Sequence, residues 1–118
     1  MWTFTLPCPT PSLNEIQSQH WTFKVEAKKA LGWRLASALN KIKRIPNAKG
    51  KRRLTIIRHG KGRLDRDNLV GGCKWLVDAI KDRGLLLDDD EASVELVVSQ
   101  VVSRKDGAHT VIYLEDCA

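Results

Sequence analysis

Cysteine is scarce in this sequence: Cys8, Cys73 and Cys117 lie far apart, and no Cys-x-x-Cys pair occurs. That spacing excludes a zinc ribbon and a disulfide-stapled miniature fold. Histidine is as sparse, and the scatter of His20, His59 and His109 gives no His-rich zinc site. Long apolar runs are missing too. No stretch approaches the ~20 residues needed to cross a bilayer. The opening Met1-Trp2-Thr3-Phe4-Thr5-Leu6-Pro7 lacks the basic and then apolar segments of a secretory signal. The expected setting is therefore a reducing cytoplasm, with no membrane partner. A Walker-type Gly-rich loop is absent as well, which places a nucleotide phosphohydrolase low among the readings.

What is present fits one ordinary folded domain spanning residues 1–118. The chain is 42% hydrophobic and 29% charged, and a chain of this size buries roughly two-thirds of its unfolded surface. Its net charge of +6 and isoelectric point near 9.5 favour a polyanionic partner, because clustered Lys and Arg release counterions on meeting phosphates. Charge alone assigns no function, so the argument must come from a site.

Trp2 to Leu6 alternates large apolar residues with Thr and reads as a strand, ended by Pro7, Pro9 and Pro11. Ser12-Leu13-Asn14-Glu15 carries cap-type residues, but the helical pattern strengthens only at Trp21. From there to Ile42, Phe23, Ala27, Leu31, Leu35, Ala38 and Leu39 recur at helical spacing. Trp21 and Trp33 on this helix are expected in the core or an interface. Residues 40–53 read as a basic loop, carrying Lys51, Arg52 and Arg53 among others. It serves either as a solvated connector or as a phosphate-contacting loop. Leu54 to Ile57 is a strand. A second helix is expected from Asn68 to Arg83, with Leu69, Leu76 and Ile80 facing the core and Gly84 as its stop. Glu91 to Val102 and Val111 to Leu114 are strands joined through a Lys105-Asp106-Gly107 hairpin turn. The order β-α-β-α-β-β predicts an α+β (mixed α/β) fold, a small mixed sheet with two main helices on one face.

Two acidic groups bracket that second helix, Asp65-Arg66-Asp67-Asn68 before it and Asp88-Asp89-Asp90-Glu91 after it. Gathered carboxylates favour a hard divalent cation, whose bound water attacks phosphate esters, while a Lys offsets the charge of the transition state. A helix of about sixteen residues separates its ends by roughly 24 Å, so only a return of the chain past Gly84 brings Asp89 back. In a regular helix Asp67, Lys74 and Asp78 share one polar stripe. The same pattern fits Asp67 as a helix cap and Lys74 with Asp78 as a surface ion pair.

Asp65-x-Asp67-Asn68-Leu69, then Lys74, Asp78-Ala79-Ile80 and Gly84-Leu85-Leu86-Leu87-Asp88-Asp89 resemble the signature of the RusA family of crossover-junction endodeoxyribonucleases. The likeness covers about a quarter of the chain in order, and Pro11-Ser12-Leu13-Asn14 resembles that family's amino-terminal segment. The resemblance implies catalytic roles for Asp65, Asp67, Lys74 and Asp89, with Asp65, Asp67 and Asp89 holding Mg²⁺ or Mn²⁺. It also implies a homodimer that nicks opposed strands of a four-way DNA junction, in recombination, repair or phage DNA processing. Asp88 and Asp90 receive no role. One departure stands out: Leu69 to Cys73 places five residues between Asn68 and Lys74, where the familiar motif has two. The additional residues either lengthen the helix by almost one turn or, at Gly71-Gly72, form a loop that delays it.

Arg58, Lys61, Arg63 and Arg66 lead into the acidic motif and are candidates to hold phosphates beside it, or else are solvated strand-end charges. Trp75 falls outside the apolar arc of a regular helix and is expected to pack within the fold or a dimer interface. The rival reading is a basic, dimeric DNA-binding protein without catalysis, in which the acidic cluster is structural.

Overall fold

The computed structural model describes residues 1–117 and has the expected α+β architecture. Strand β1 (Trp2–Leu6) shows the period of two that its sequence carries: Phe4 and Leu6 are buried, while Thr3 and Thr5 face outward. After the proline segment, Ser12 caps a separate short helix, α1 (Leu13–Ser18), its Oγ accepting from the Glu15 N–H at 3.1 Å. The cap residues around Ser12 therefore do start a helix of their own. Extended backbone at Gln19 and His20 separates it from α2 (Trp21–Asn40), which buries Leu35 and Ala38. Trp21 and Trp33 are exposed rather than in the core, because the helix presents its Leu31, Leu35 and Ala38 side inward.

Strand β2 (Arg52–Gly60) begins two residues before the expected strand. Arg52 and Arg53 thus belong to the sheet, not to the basic loop. The expected second helix is two: α3 (Arg66–Gly71) and α4 (Lys74–Asp82). Gly84 stops α4 as expected, at φ +80°, with the Leu85 N–H bonded to Ile80 O and the Gly84 N–H to Lys81 O. Leu69, Leu76 and Ile80 are all buried, so the core-facing side was read correctly despite the break. Trp75 is buried too, with Lys28 Nζ 5.7 Å from its ring.

Strands β3 (Val94–Val102) and β4 (His109–Asp116) complete a sheet of order β1-β4-β2-β3. They are not a hairpin. β2 lies between them, parallel to β3 and antiparallel to β4. The reason is burial: Thr110, Ile112 and Leu114 are fully enclosed, which suits an interior strand, whereas β3 is largely exposed and takes the edge. The helices cover the face bearing Phe4, Leu54, Ile56, Ile112 and Leu114, and the opposite face stays open. Among the described residues no helix is long and apolar enough to cross a membrane.

Candidate active site

Arg58, near the end of β2, orders the approach to the acidic motif: its Nε donates to Thr10 O at 2.8 Å and its Nη1 to Gly62 O at 3.3 Å. It thereby ties the proline segment to the loop before Asp65. Gln100 on β3 clamps the next residue, donating through Nε2 to Leu64 O at 2.7 Å and accepting from the Leu64 N–H at 3.0 Å. Sequence reading missed Gln100, since a lone amide on a strand carries no signal until its partner is known.

Asp65 then caps α3, its Oδ1 accepting from the Asn68 N–H at 2.8 Å. The capping role falls on Asp65, not on Asp67, which stands in the first turn of α3 and is exposed. Both carboxylates favour this end of the helix, where the unpaired N–H groups point. Asn68 turns its Oδ1 to the Asn14 N–H at 3.0 Å, across 54 residues of chain. Beyond it, a Cβ on Gly71 would stand 2.9 Å from Leu13 Cδ2, and one on Gly72 would collide with the Pro11 carbonyl oxygen. The pair of glycines is thus neither a longer helix nor a delayed start. It is the point where α3 ends and the Pro11-to-Asn14 segment packs against the backbone.

Lys74 follows this break as the first residue of α4, exposed. A cation there is disfavoured by the positive end of the helix dipole, and the two together place positive potential at this solvent-facing point. The break at Gly72 and Cys73 puts Asp67 on one helix and Lys74 and Asp78 on the next, so the three do not share one continuous helix.

Asp89 is exposed beyond α4, next to Asp88. Asp88 accepts from the Asp89 N–H at 2.8 Å, and that bond, with Lys81 3.8 Å away, holds the Asp88 carboxyl below its ordinary range. Asp89 forms no metal-holding group with Asp65 and Asp67 among the described residues. Asp90 anchors the start of β3 through the Val94 N–H, while Arg66 reaches Val98 O four residues further along. No three His, Cys, Asp or Glu side chains gather as a metal-holding group among the described residues.

The proposed phosphate contacts divide by what they touch. Arg66 donates to Val98 O at 3.3 Å, so like Arg58 it is partly committed to backbone. Lys61, Arg63 and Lys51 are exposed, with no carboxylate within 4 Å among the described residues. Arg52 is only 2% exposed, donating to Asp116 Oδ1 at 2.8 Å and to Leu85 O at 3.0 Å. Arg53 is shared between Glu95 at 2.9 Å and Glu115 at 2.8 Å. Neither fits a loop that grips phosphate.

No protein-family model matches this chain, and no curated protein matches it.

Proposed function

We propose that this protein is a divalent-metal-dependent endonuclease acting on branched DNA, of the RusA type. One observation carries the reading: the two segments that resemble that family, Pro11-Ser12-Leu13-Asn14 and Asp65-x-Asp67-Asn68, are distant in sequence yet bonded in space through Asn14 and Asn68. A chance likeness in two separate segments does not require them to meet.

Asp67 and the second oxygen of Asp65 would hold Mg²⁺ or Mn²⁺. This suits a cation that binds through one or two carboxylates and leaves its other positions to water and substrate phosphate. When bound, the metal supplies a water of lowered pKa and neutralises charge on the phosphate. The remaining work belongs to the chain. Lys74 faces the phosphate that gains charge in the transition state. Lys61 and Arg63, with no carboxylate within 4 Å among the described residues, position the backbone of the DNA, and Arg58 and Gln100 keep the loop carrying Asp65 in place. No role is proposed for Asp89, which does not gather with Asp65 and Asp67 as a metal-holding group among the described residues. A homodimer would present two such sites to opposed strands of a four-way junction.

The test is Asp67→Asn, which keeps size and removes one charge. Cleavage of a synthetic junction in Mg²⁺ should fall by roughly 100-fold or more, while junction binding in EDTA stays at the parent level. Undiminished cleavage by the folded variant would make Asp67 an ordinary surface charge. The rival of a non-catalytic DNA-binding protein draws on the incomplete carboxylate cluster within one chain. It takes the lead if the parent binds junctions but cuts none with Mg²⁺ or Mn²⁺.

A further inference from the structure

The net charge of +6 is not spread over the molecule. Residues 21–44, which form α2 and the turn after it, hold seven Lys and Arg against the single Glu26. That segment accounts for the whole excess. The other thirteen cations are balanced by thirteen anions, and several of them, such as Arg52, Arg53 and Lys81, sit against carboxylates. Along α2 the single ion pair among the described residues is Lys29 with Glu26, at 4.0 Å.

The same helix exposes aromatic surface. Trp21, Val25, Lys29 and Trp33 follow one another at steps of four residues, and so form one stripe. Trp21 is 67% exposed, Val25 42% and Trp33 77%, and the Lys29 side chain 66%. The two indoles are about 18 Å apart along the axis. Trp33 also walls a groove of about 740 Å³ between α2 and α4, whose charged lining is mixed: Lys28, Lys29, Lys81 and Arg83 with Asp78 and Asp82. Gly32 lines it, and a Cβ there would meet nothing within 4 Å, so the groove has room beside the indole.

Flat aromatic faces interleaved with exposed lysines match a ligand that has both π faces and phosphates. An unpaired nucleic-acid strand offers both, whereas a duplex hides its base faces inside the stack. A lipid surface fits less well, because Lys29 lies in the stripe that would have to enter the acyl boundary, with the Glu26 carboxylate 4.0 Å from it. A second copy of the same face would meet it with like charge. We propose that the outer face of α2 binds an unpaired nucleic-acid strand, stacking bases on Trp21 and Trp33 and holding phosphates with its lysines. Neither the carboxylates nor a metal takes part, so this surface stands apart from the cleavage reading.

The test is binding of oligo-dT of about 15 nucleotides, followed in EDTA by anisotropy and by tryptophan emission. Binding should quench the emission. Trp33→Ala and Trp21→Ala should each weaken affinity about tenfold, a loss within the range of one stacked base. Lys28→Gln with Lys29→Gln should lower the slope of log affinity against log salt by about 1.4, or 0.7 for each phosphate contact. Arg104→Gln with Lys105→Gln removes the same charge elsewhere and should change affinity less than twofold. Gly32→Leu, built into open space, should weaken binding while keeping the fold.

Parent-like affinity in both Trp variants, equal losses from the two charge-removing pairs, or no binding of oligo-dT would each overturn the proposal. So would displacement of oligo-dT by vesicles containing phosphatidylserine, or a dimer that dissociates in Trp33→Ala while binding stays at the parent level. Trp-dependent binding without junction cleavage would sink the nuclease reading alone. Cleavage with Trp-independent binding would sink this one alone.

Discussion

Arg52 shows how one side chain can be charged and still belong to the core. Its guanidinium donates to Asp116 and Leu85 O and lies 4.8 Å from the Trp2 ring centroid. Because Asp116 is exposed, its carboxylate returns to water when Arg52 is removed; the loss falls on the Leu85 carbonyl and the packing on Trp2. Arg52→Ala should therefore destabilise by about 2 to 3 kcal/mol, measured by urea unfolding. Arg52→Lys should recover less than half, having no planar fork. Cys73 gives a second residue-scale test. Burial pushes its thiol from the usual 9.0 up to about 11, against smaller opposing effects of Thr10 and Arg58. The unfolded thiol ionises first, so this contribution is intact below pH 9 and is lost as pH rises toward 11. Stability should decline by roughly 1.4 kcal/mol per pH unit across that window, and Cys73→Ala should remove that slope in urea titrations at pH 8 and pH 10.5.

The decisive element is the break between α3 and α4. Helical periodicity was legible in Leu69, Leu76 and Ile80, but the break was not, because it depends on a backbone contact with Pro11 from a distant segment. Gly71→Ala meets the movable end of Leu13 and should cost about 1 kcal/mol or less. Gly72→Ala meets a carbonyl oxygen that cannot swing aside, and should cost about 3 kcal/mol or more. Thermal unfolding separates the two. In Gly72→Ala the Asn14 amide should also lose protection from hydrogen exchange, since displacing Pro11 opens its bond to Asn68. For α1 the capping chemistry of Ser12 was visible, yet six residues are too few to show a helical period.

At the scale of the whole molecule, β2 is the hub: it is bonded to β3 on one side and β4 on the other, while α2 lies across the sheet with its first half unburied. Native-state hydrogen exchange should rank them accordingly. The amides of Leu54 and Ile56 should open only with global unfolding, and those of residues 25–30 on α2 through local opening at lower free energy. A reversed ranking would mean that α2 is covered in solution by something that also shields its exposed stripe.

The sequence by itself determined the four strands, the long helix α2, the buried side carrying Leu69, Leu76 and Ile80 and the α+β class, because periods of 2 and 3.6 are local properties written in neighbouring residues. It also marked Asp65, Asp67, Lys74 and Asp89 as the candidate site, through their resemblance to the RusA-family signature. Only the tertiary structure decided that β2 separates β3 from β4 and that Arg52 is enclosed. It alone joined Asn14 to Asn68. Each of these depends on which distant segments share space, and that is settled by competition for the buried positions of one core, which no local pattern records.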